Sequence, residues 1–527
     1  MKKTSSFLPS PLCRCRARPT ALRRILLIGS VVYICMLTIW FTHQTNTFPL
    51  SNVLYLLQNH GTERSTFSLH GIETRNLECL GWEATRYCTP EGPRNDQLDQ
   101  NCTTLIEKGA SGYCKVRDRT SGKVFHVMKT YCNTLREHAS FRCHDALDFV
   151  HFRIKAQKEA QLAVLPNKPP NLRAFREGIV IVVYPKLVAS TYATIRVLWT
   201  QMNCTLPIEL WYRRDEMIPT TLFKPFKLLA KTTQRLLRFQ AIHDPQAFRF
   251  GAKIHAICHS SFDRLLFLDA DNVPVRDPRY LFESMEFQTT GAIFWPDFWH
   301  PDHSIFNVQR TSLLWELLDM PFVDMFEQES GQLVIDRLRH AQALQLVQFY
   351  AQSQPNYFTT MRLVYGDKDL FRLAWIQLNR PFTMIQTPPG MAGIFTSSFF
   401  NTTFCGLTMV QHDMHQNVLF LHRNQQKLTG KRLPHTNTSA DPIIWTHILR
   451  IRDGLPRSKF VVELFRRDLS FRAQQSCFGR RDVSYNPDFY VQNIRTFPFA
   501  TLESQLRQFA LEWTQLYENS SMDSLEK

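Results

Sequence analysis

Phe262–Pro278 reads FDRLLFLDADNVPVRDP. Four consecutive apolar residues, Leu265 to Leu268, run into Asp269 and Asp271. A segment with the texture of a buried strand therefore ends in two carboxylates, and their i, i+2 spacing turns both to one side of an extended chain. Pro274 and Pro278 stop the strand from continuing. In open α/β sheets, ligands bind beyond the carboxyl ends of the strands, which is where this pair falls. Two like charges held close repel unless a cation or a shared proton lies between them. An all-oxygen pair suits Mg2+ or Mn2+, and such an ion in turn neutralises a diphosphate. A bare D-x-D is also common as a solvated turn, but the apolar run before it and the NVPVRDP exit after it favour the cation.

Upstream, GIVIVVY (178–184) is a continuous β-branched run, TYATIRVLWTQM (191–202) has helical spacing, and PIELWY (207–212) is a second short apolar strand. Together they predict a βαβ unit and hence a parallel sheet. A further helix over 248–261 leads into the D-x-D strand. The fold class expected is α/β, Rossmann-like, for a domain over 175–470. PNKPPN (166–171) breaks periodic structure before it, and a helix is expected over 145–163.

The N-terminal part has a different character. Residues 25–41, ILLIGSVVYICMLTIWF, carry no charge and approach the length of a membrane span. Seven basic residues precede them, from Lys2 to Arg24, and the next is Arg64. The positive-inside rule then predicts a cytosolic tail over 1–24, an uncleaved signal anchor over 25–41 and a lumenal remainder, that is, a type II single-pass protein held by one N-terminal helix. Residues 42–75 read as a stem. A Cys-rich lumenal module over 76–165 follows, with six cysteines (Cys79, Cys88, Cys102, Cys114, Cys132 and Cys143) suited to disulfides in an oxidising compartment. Residues 471–527 form a C-terminal extension. The net charge of +16 is partly spent in the tail, and no basic run with interleaved aromatics follows it, so a nucleic-acid partner is not expected. Sequons begin at Asn101, Asn203, Asn401, Asn437 and Asn519, all on the predicted lumenal side.

Five blocks carry a resemblance: FDRLLFLDADNVPVRDPRYLFES, GAIFWPDFW, ESGQLVIDRLRH, GDKDLFRLAW and MVQHDMHQNVLFLHRNQQK, in that order between Gly178 and Lys427. They resemble the fungal-type Golgi α-mannosyltransferase family that builds mannan side chains (α-1,2 and α-1,3 linkages), within the GT-A nucleotide-diphospho-sugar transferases. The resemblance implies a retaining, metal-dependent glycosyltransferase on a type II Golgi membrane anchor. It implies GDP-mannose as nucleotide-sugar donor and a glycan or glycoprotein as acceptor. By resemblance Asp271 binds Mn2+ (or Mg2+) directly, Asp269 holds the ribose or a metal-bound water, and His422 completes the metal shell, with His412 as its rival. Lys427 and, secondarily, Arg423 meet the diphosphate, Lys253 reaches the donor phosphates, and Tyr184 meets the base. Asp297, Glu329, Gln332, Asp367 and Asp369 are the candidates for the catalytic centre, where an oxocarbenium-like sugar and an acceptor hydroxyl need carboxylates and amides. Glu329 and Gln332 are expected just before a helix bearing Val334, Leu338 and Ala341. Trp295 and Trp299 could stack on sugar or pack in the core, and Gly291 and Gly331 serve close backbone approach. The block ESGQLVIDRLRH departs from the family pattern at Arg337, where lysine is usual. A UDP-sugar donor on the same fold and a non-enzymatic glycan-binding protein remain as alternatives, since a D-x-D sees phosphate and metal rather than the base.

Overall fold

The computed structural model describes residues 75–163, 176–217, 220–397, 402–466, 476–483 and 485–522. The expected tail, anchor and stem, the PNKPPN boundary and the Asn401 sequon lie outside these. Among the described residues no helix is long and apolar enough to cross a membrane.

The Cys-rich module is a three-stranded antiparallel sheet of β1 (Leu77–Ala84), β2 (Gly112–Asp118) and β3 (Val124–Thr130), with β2 central. Its six cysteines pair among themselves as Cys79–Cys102, Cys88–Cys132 and Cys114–Cys143. The expected single helix over 145–163 is two, a short turn at Ala146–Phe149 and α1 (Phe152–Gln161). Phe152 of α1 packs among Phe349, Tyr350, Tyr357 and Phe358, which joins the module to the larger domain.

The predicted βαβ unit is present: β4 (Glu177–Val183), α2 (Val188–Thr200) and β5 (Ile208–Arg213), with β4 and β5 parallel. Next come α3 (Lys224–Thr233), β6 (Leu237–Ile242), α4 (Phe250–His259) and β7 (Arg264–Asp269). Leu265 to Leu268 are fully buried, each contributing roughly 1.5–3 kcal/mol of transfer free energy. Gly178 is required because a Cβ there would lie 2.3 Å from the Phe262 ring.

Beyond β7 come β8 (Asn272–Pro274), β9 (Ala292–Pro296), β10 (Gln328–Asp336), α5 (Ala341–Gln352), α6 (Leu370–Gln377) and β11 (Thr383–Met384). The main sheet has the order β11-β9-β10-β7-β4-β5-β6, with β10 antiparallel to both neighbours and the remaining pairs parallel. This corrects one expectation. Glu329 and Gln332 lie inside a strand, not ahead of a helix, and the helix starts only at Ala341.

A second, antiparallel sheet has the order β8-β14-β13-β12-β15-β16, from β12 (Gly390–Ser397), β13 (Thr402–His412), β14 (Val418–His422), β15 (His447–Ile451) and β16 (Phe489–Asn493). The last helix, α7 (Leu502–Met522), packs on α2, with Leu506, Phe509 and Ala510 against Ala189, Ala193 and Val197. The residues set apart as a C-terminal extension thus supply the edge strand β16 and the cover of α2. The disulfide Cys405–Cys477 ties β13 to this part of the chain.

Candidate active site

Asp269 ends β7 and Asn272 begins β8, so Asp269-Ala270-Asp271 is the passage from one sheet to the other. The register brings His422 opposite Asn272, and Gln332 opposite Leu268. Three chain segments distant in sequence therefore meet at the carboxyl end of β7. His422 Nε2 lies 3.2 Å from Asp271 Oδ1 and 3.8 Å from Asp269 Oδ2, and its Nδ1 lies 3.7 Å from Glu329 Oε1. Asp269, Glu329 and His422 each offer a ligand atom within 4.8 Å of the others. Gly331 is needed beside them, since a Cβ there would lie 2.5 Å from His422 Nδ1.

Two lysines, Lys253 buried and Lys368 half-buried, bind this acidic centre. Lys253 Nζ lies 3.1 Å from Asp269, 3.1 Å from Asp367 and 3.0 Å from the Ser330 carbonyl. Burial opposes its charge, but Asp269, Asp367 and Glu329 outweigh that and hold its pKa above the ordinary lysine value. Lys368 Nζ lies 2.6 Å from Asp297 Oδ2 and 2.9 Å from Glu329 Oε2. Its pKa is raised too, because those two carboxylates overcome the cost of burial. The carboxylates separate accordingly. Burial pushes Asp297 up to about 6 despite Lys368. Glu329 is equally buried, yet Lys368 and His422 bring it down to about 2. Asp269 is raised by burial, whereas His422 and Lys427 hold Asp271 below the ordinary carboxylate range in spite of its burial. His422 is raised, Asp271 outweighing desolvation.

The other expected residues divide. Lys427 contacts Asp271 Oδ2. Tyr184, 40% exposed just past β4, feels both aspartates, and burial together with their charge raises its phenol pKa. Gln332 Oε1 accepts a 2.6 Å bond from Asn272 Nδ2, which braces the strand behind the D-x-D. Asp369 stands at the start of α6, but its carboxylate turns to the Arg372 side chain and accepts the Gln328 N–H at 2.9 Å, so it does not join the cluster. Arg423 is likewise elsewhere: its guanidinium is buried on Glu503 at 2.9 Å and on the Gln426 and Pro442 carbonyls. His412 is fully buried away from the aspartates, and burial pushes its pKa down to about 3. Trp295 and Trp299 are core residues, with Trp295 edge-on to Phe420. Gly291 has φ +74° and lies against Arg339 and His340.

Sequence reasoning passed over Lys368. The signal was present in GDKD, where a lysine stands between two aspartates, but an exposed-looking lysine in a loop gives no sign that it turns inward. It also passed over Glu327, a buried carboxyl that Ser304 Oγ donates to and that burial, with Asp369 nearby, holds well above its ordinary pKa.

Residues 176–413 match the family model "Mannosyltransferase putative". The matched segment contains the D-x-D, Asp297, Glu329 and Lys368, and ends before His422 and Lys427. The chain is 27% identical over 361 residues to the alpha-1,2-mannosyltransferase MNN5 of Saccharomyces cerevisiae, covering 58% of each chain. It is 30% identical over 196 residues to the alpha-1,2-mannosyltransferase MNN2 of the same yeast, covering 31% of this chain and 32% of the relative. It thus spans little more than half the length of the curated relatives it matches. Among solved structures, the mannosyltransferase Ktr4p of S. cerevisiae in complex with GDP overlaps 42% of this chain and 75% of its own, at 10% identity and a TM-score of 0.28, too slight an overlap to assign a fold.

Proposed function

We propose that the chain is a metal-dependent, retaining glycosyltransferase of GT-A organisation that transfers mannose from GDP-mannose to a glycan. The observation that carries this reading is the convergence of Asp269, Asp271, Glu329 and His422 at the carboxyl end of β7, the three carboxylates from within the segment that matches the mannosyltransferase model and the histidine from just beyond it. One imidazole nitrogen with several carboxylate oxygens is a donor set that fits Mn2+ or Mg2+. A cation held there supplies positive charge to the leaving diphosphate. The strand order, with one antiparallel strand in an otherwise parallel sheet, agrees with the GT-A reading, and the names of the relatives favour mannose.

The chain's own residues have separable roles. Lys427 on Asp271 and Lys253 on Asp269 set two ammonium groups where diphosphate oxygens arrive. Tyr184, beside the same aspartates, offers a ring to the base. Glu329, kept ionised, lends negative charge to a sugar carbon that becomes oxocarbenium-like. Asp297, whose carboxyl titrates at about 6, is suited to exchanging a proton with a hydroxyl. Residues 25–41 serve as the type II anchor in this reading, with the domain in the Golgi lumen, where the three disulfides of the Cys-rich module are stable.

The test is nucleotide release from a panel of GDP- and UDP-sugars with Mn2+, beside Asp271→Ala. Release from GDP-mannose alone, lost in the variant and on chelation, is the expected result. Release from a UDP-sugar instead keeps the fold and overturns the donor.

A further inference from the structure

Two segments that hold the buried acidic centre also send aromatic side chains outward at one place, where the half-buried Phe306 meets them. Phe250 opens α4, the helix that carries Lys253. Tyr365 precedes Gly366, Asp367 and Lys368. Phe306 lies two residues from Ser304, which bonds Glu327. The Phe250 and Tyr365 rings meet edge-on at 5.7 Å, and Phe306 stacks on Tyr365 at 5.4 Å. Tyr365 is 53% exposed and Phe250 44%. Adjoining exposed rings are a candidate binding surface.

The patch is also preset. Gly366 has φ +62°, and a Cβ there would lie 2.7 Å from the Phe250 ring, so loop and ring are in direct contact. The Tyr365 hydroxyl makes no hydrogen bond among the described residues and can meet a ligand hydroxyl.

We propose that Phe250, Tyr365 and Phe306 form the acceptor subsite, which takes a neutral pyranose of the glycan by stacking its C–H face on these rings. This rests on the transferase reading above. The loop that bears Tyr365 also bears Lys368, which lies on Asp297 and Glu329, the carboxylates set above at the acceptor hydroxyl and the sugar carbon. Flat apolar rings with one free hydroxyl suit a sugar better than an anionic group, which would leave its charge without a partner.

The test uses the full chain with GDP-mannose and an α-linked mannotriose as acceptor probe. Tyr365→Ser should raise the acceptor KM on the order of tenfold, with the shift confined to the acceptor, and Tyr365→Phe, which keeps the ring, should recover most of it. A shift in the donor KM or in kcat in place of the acceptor KM, or no shift at all, overturns the proposal. Saturation-transfer NMR of mannotriose on the wild type and on Tyr365→Ser gives a readout that needs no turnover. If no sugar nucleotide is consumed, the transferase reading fails. Ring-proton saturation that weakens in Tyr365→Ser still supports a pyranose site, whereas equal or absent saturation overturns it.

Discussion

Lys368 Nζ lies 2.6 Å from Asp297 Oδ2, in a place where the Asp297 side chain is 1% exposed. The same ammonium reaches Glu329, so one lysine from the GDKD loop neutralises two buried carboxylates, one just past the end of β9 and one in its neighbour β10. Lys368→Met leaves both without that cation, and breaking such a buried pair typically costs about 3–5 kcal/mol. Urea unfolding should show a loss of that size, and adding Asp297→Asn should return part of it. Additive losses in the double variant would mean that the two groups are not coupled.

Gly331→Ala should fold and yet lose metal. The added methyl meets the His422 ring and approaches Glu329 Oε1 at 3.1 Å, which displaces two candidate ligands at once. Calorimetric titration with Mn2+ should show at least about tenfold weaker binding, as when ligand-orienting neighbours are disturbed, while circular dichroism stays near that of the wild type.

Arg423 and Lys427 are close in sequence and opposite in consequence. Arg423→Met should lower stability by about 3 kcal/mol by stranding buried Glu503, with no change in donor KM in the folded protein. Lys427→Ala should raise the donor KM and cost less stability than Arg423→Met, because the Lys427 side chain is 35% exposed and His422 remains on Asp271. The pair of measurements, unfolding and donor saturation, tells structural from substrate-facing basic residues.

Glu316 links the Cys-rich module to the larger domain by accepting the Met128 and Lys129 N–H groups at 2.6 and 3.0 Å. Burial pushes its carboxyl up to about 7 from an ordinary value of 4.5. The native protein therefore holds this proton more tightly than the unfolded chain, so its contribution is full below pH 4.5 and is lost as pH rises through 7. Melting curves across that window should show this loss, and Glu316→Gln, which does not titrate, should lack it. An identical pH profile for the two proteins would assign the trend to other groups.

Three parallel strands of the main sheet, β4, β5 and β7, were legible because they are largely buried and read as short apolar runs, whereas β6, half-buried along most of its length, was not expected. Leu265–Leu268 and Ile179–Val183 leave little other choice. The D-x-D and His422 were legible for a related reason: a polar residue closing an apolar strand has nowhere to go but the sheet's end. β10 was not, since ESGQLVID mixes small, polar and apolar residues without a clear period, and only pairing with β7 and β9 makes it a strand. Nor could the chain's letters show which way a basic side chain turns. Arg423 was expected at a phosphate and is buried on Glu503, while Lys368 was passed over and sits between two carboxylates. Such choices are set by contacts far apart in sequence.

The most direct measurement is mass spectrometry of a mannose-containing oligosaccharide incubated with the protein, GDP-mannose and Mn2+. A product one hexose heavier is expected, with an α-linkage by NMR, absent on chelation and absent with Asp271→Ala. A product formed equally by wild type and Asp271→Ala, or formed only from a UDP-sugar, would contradict it.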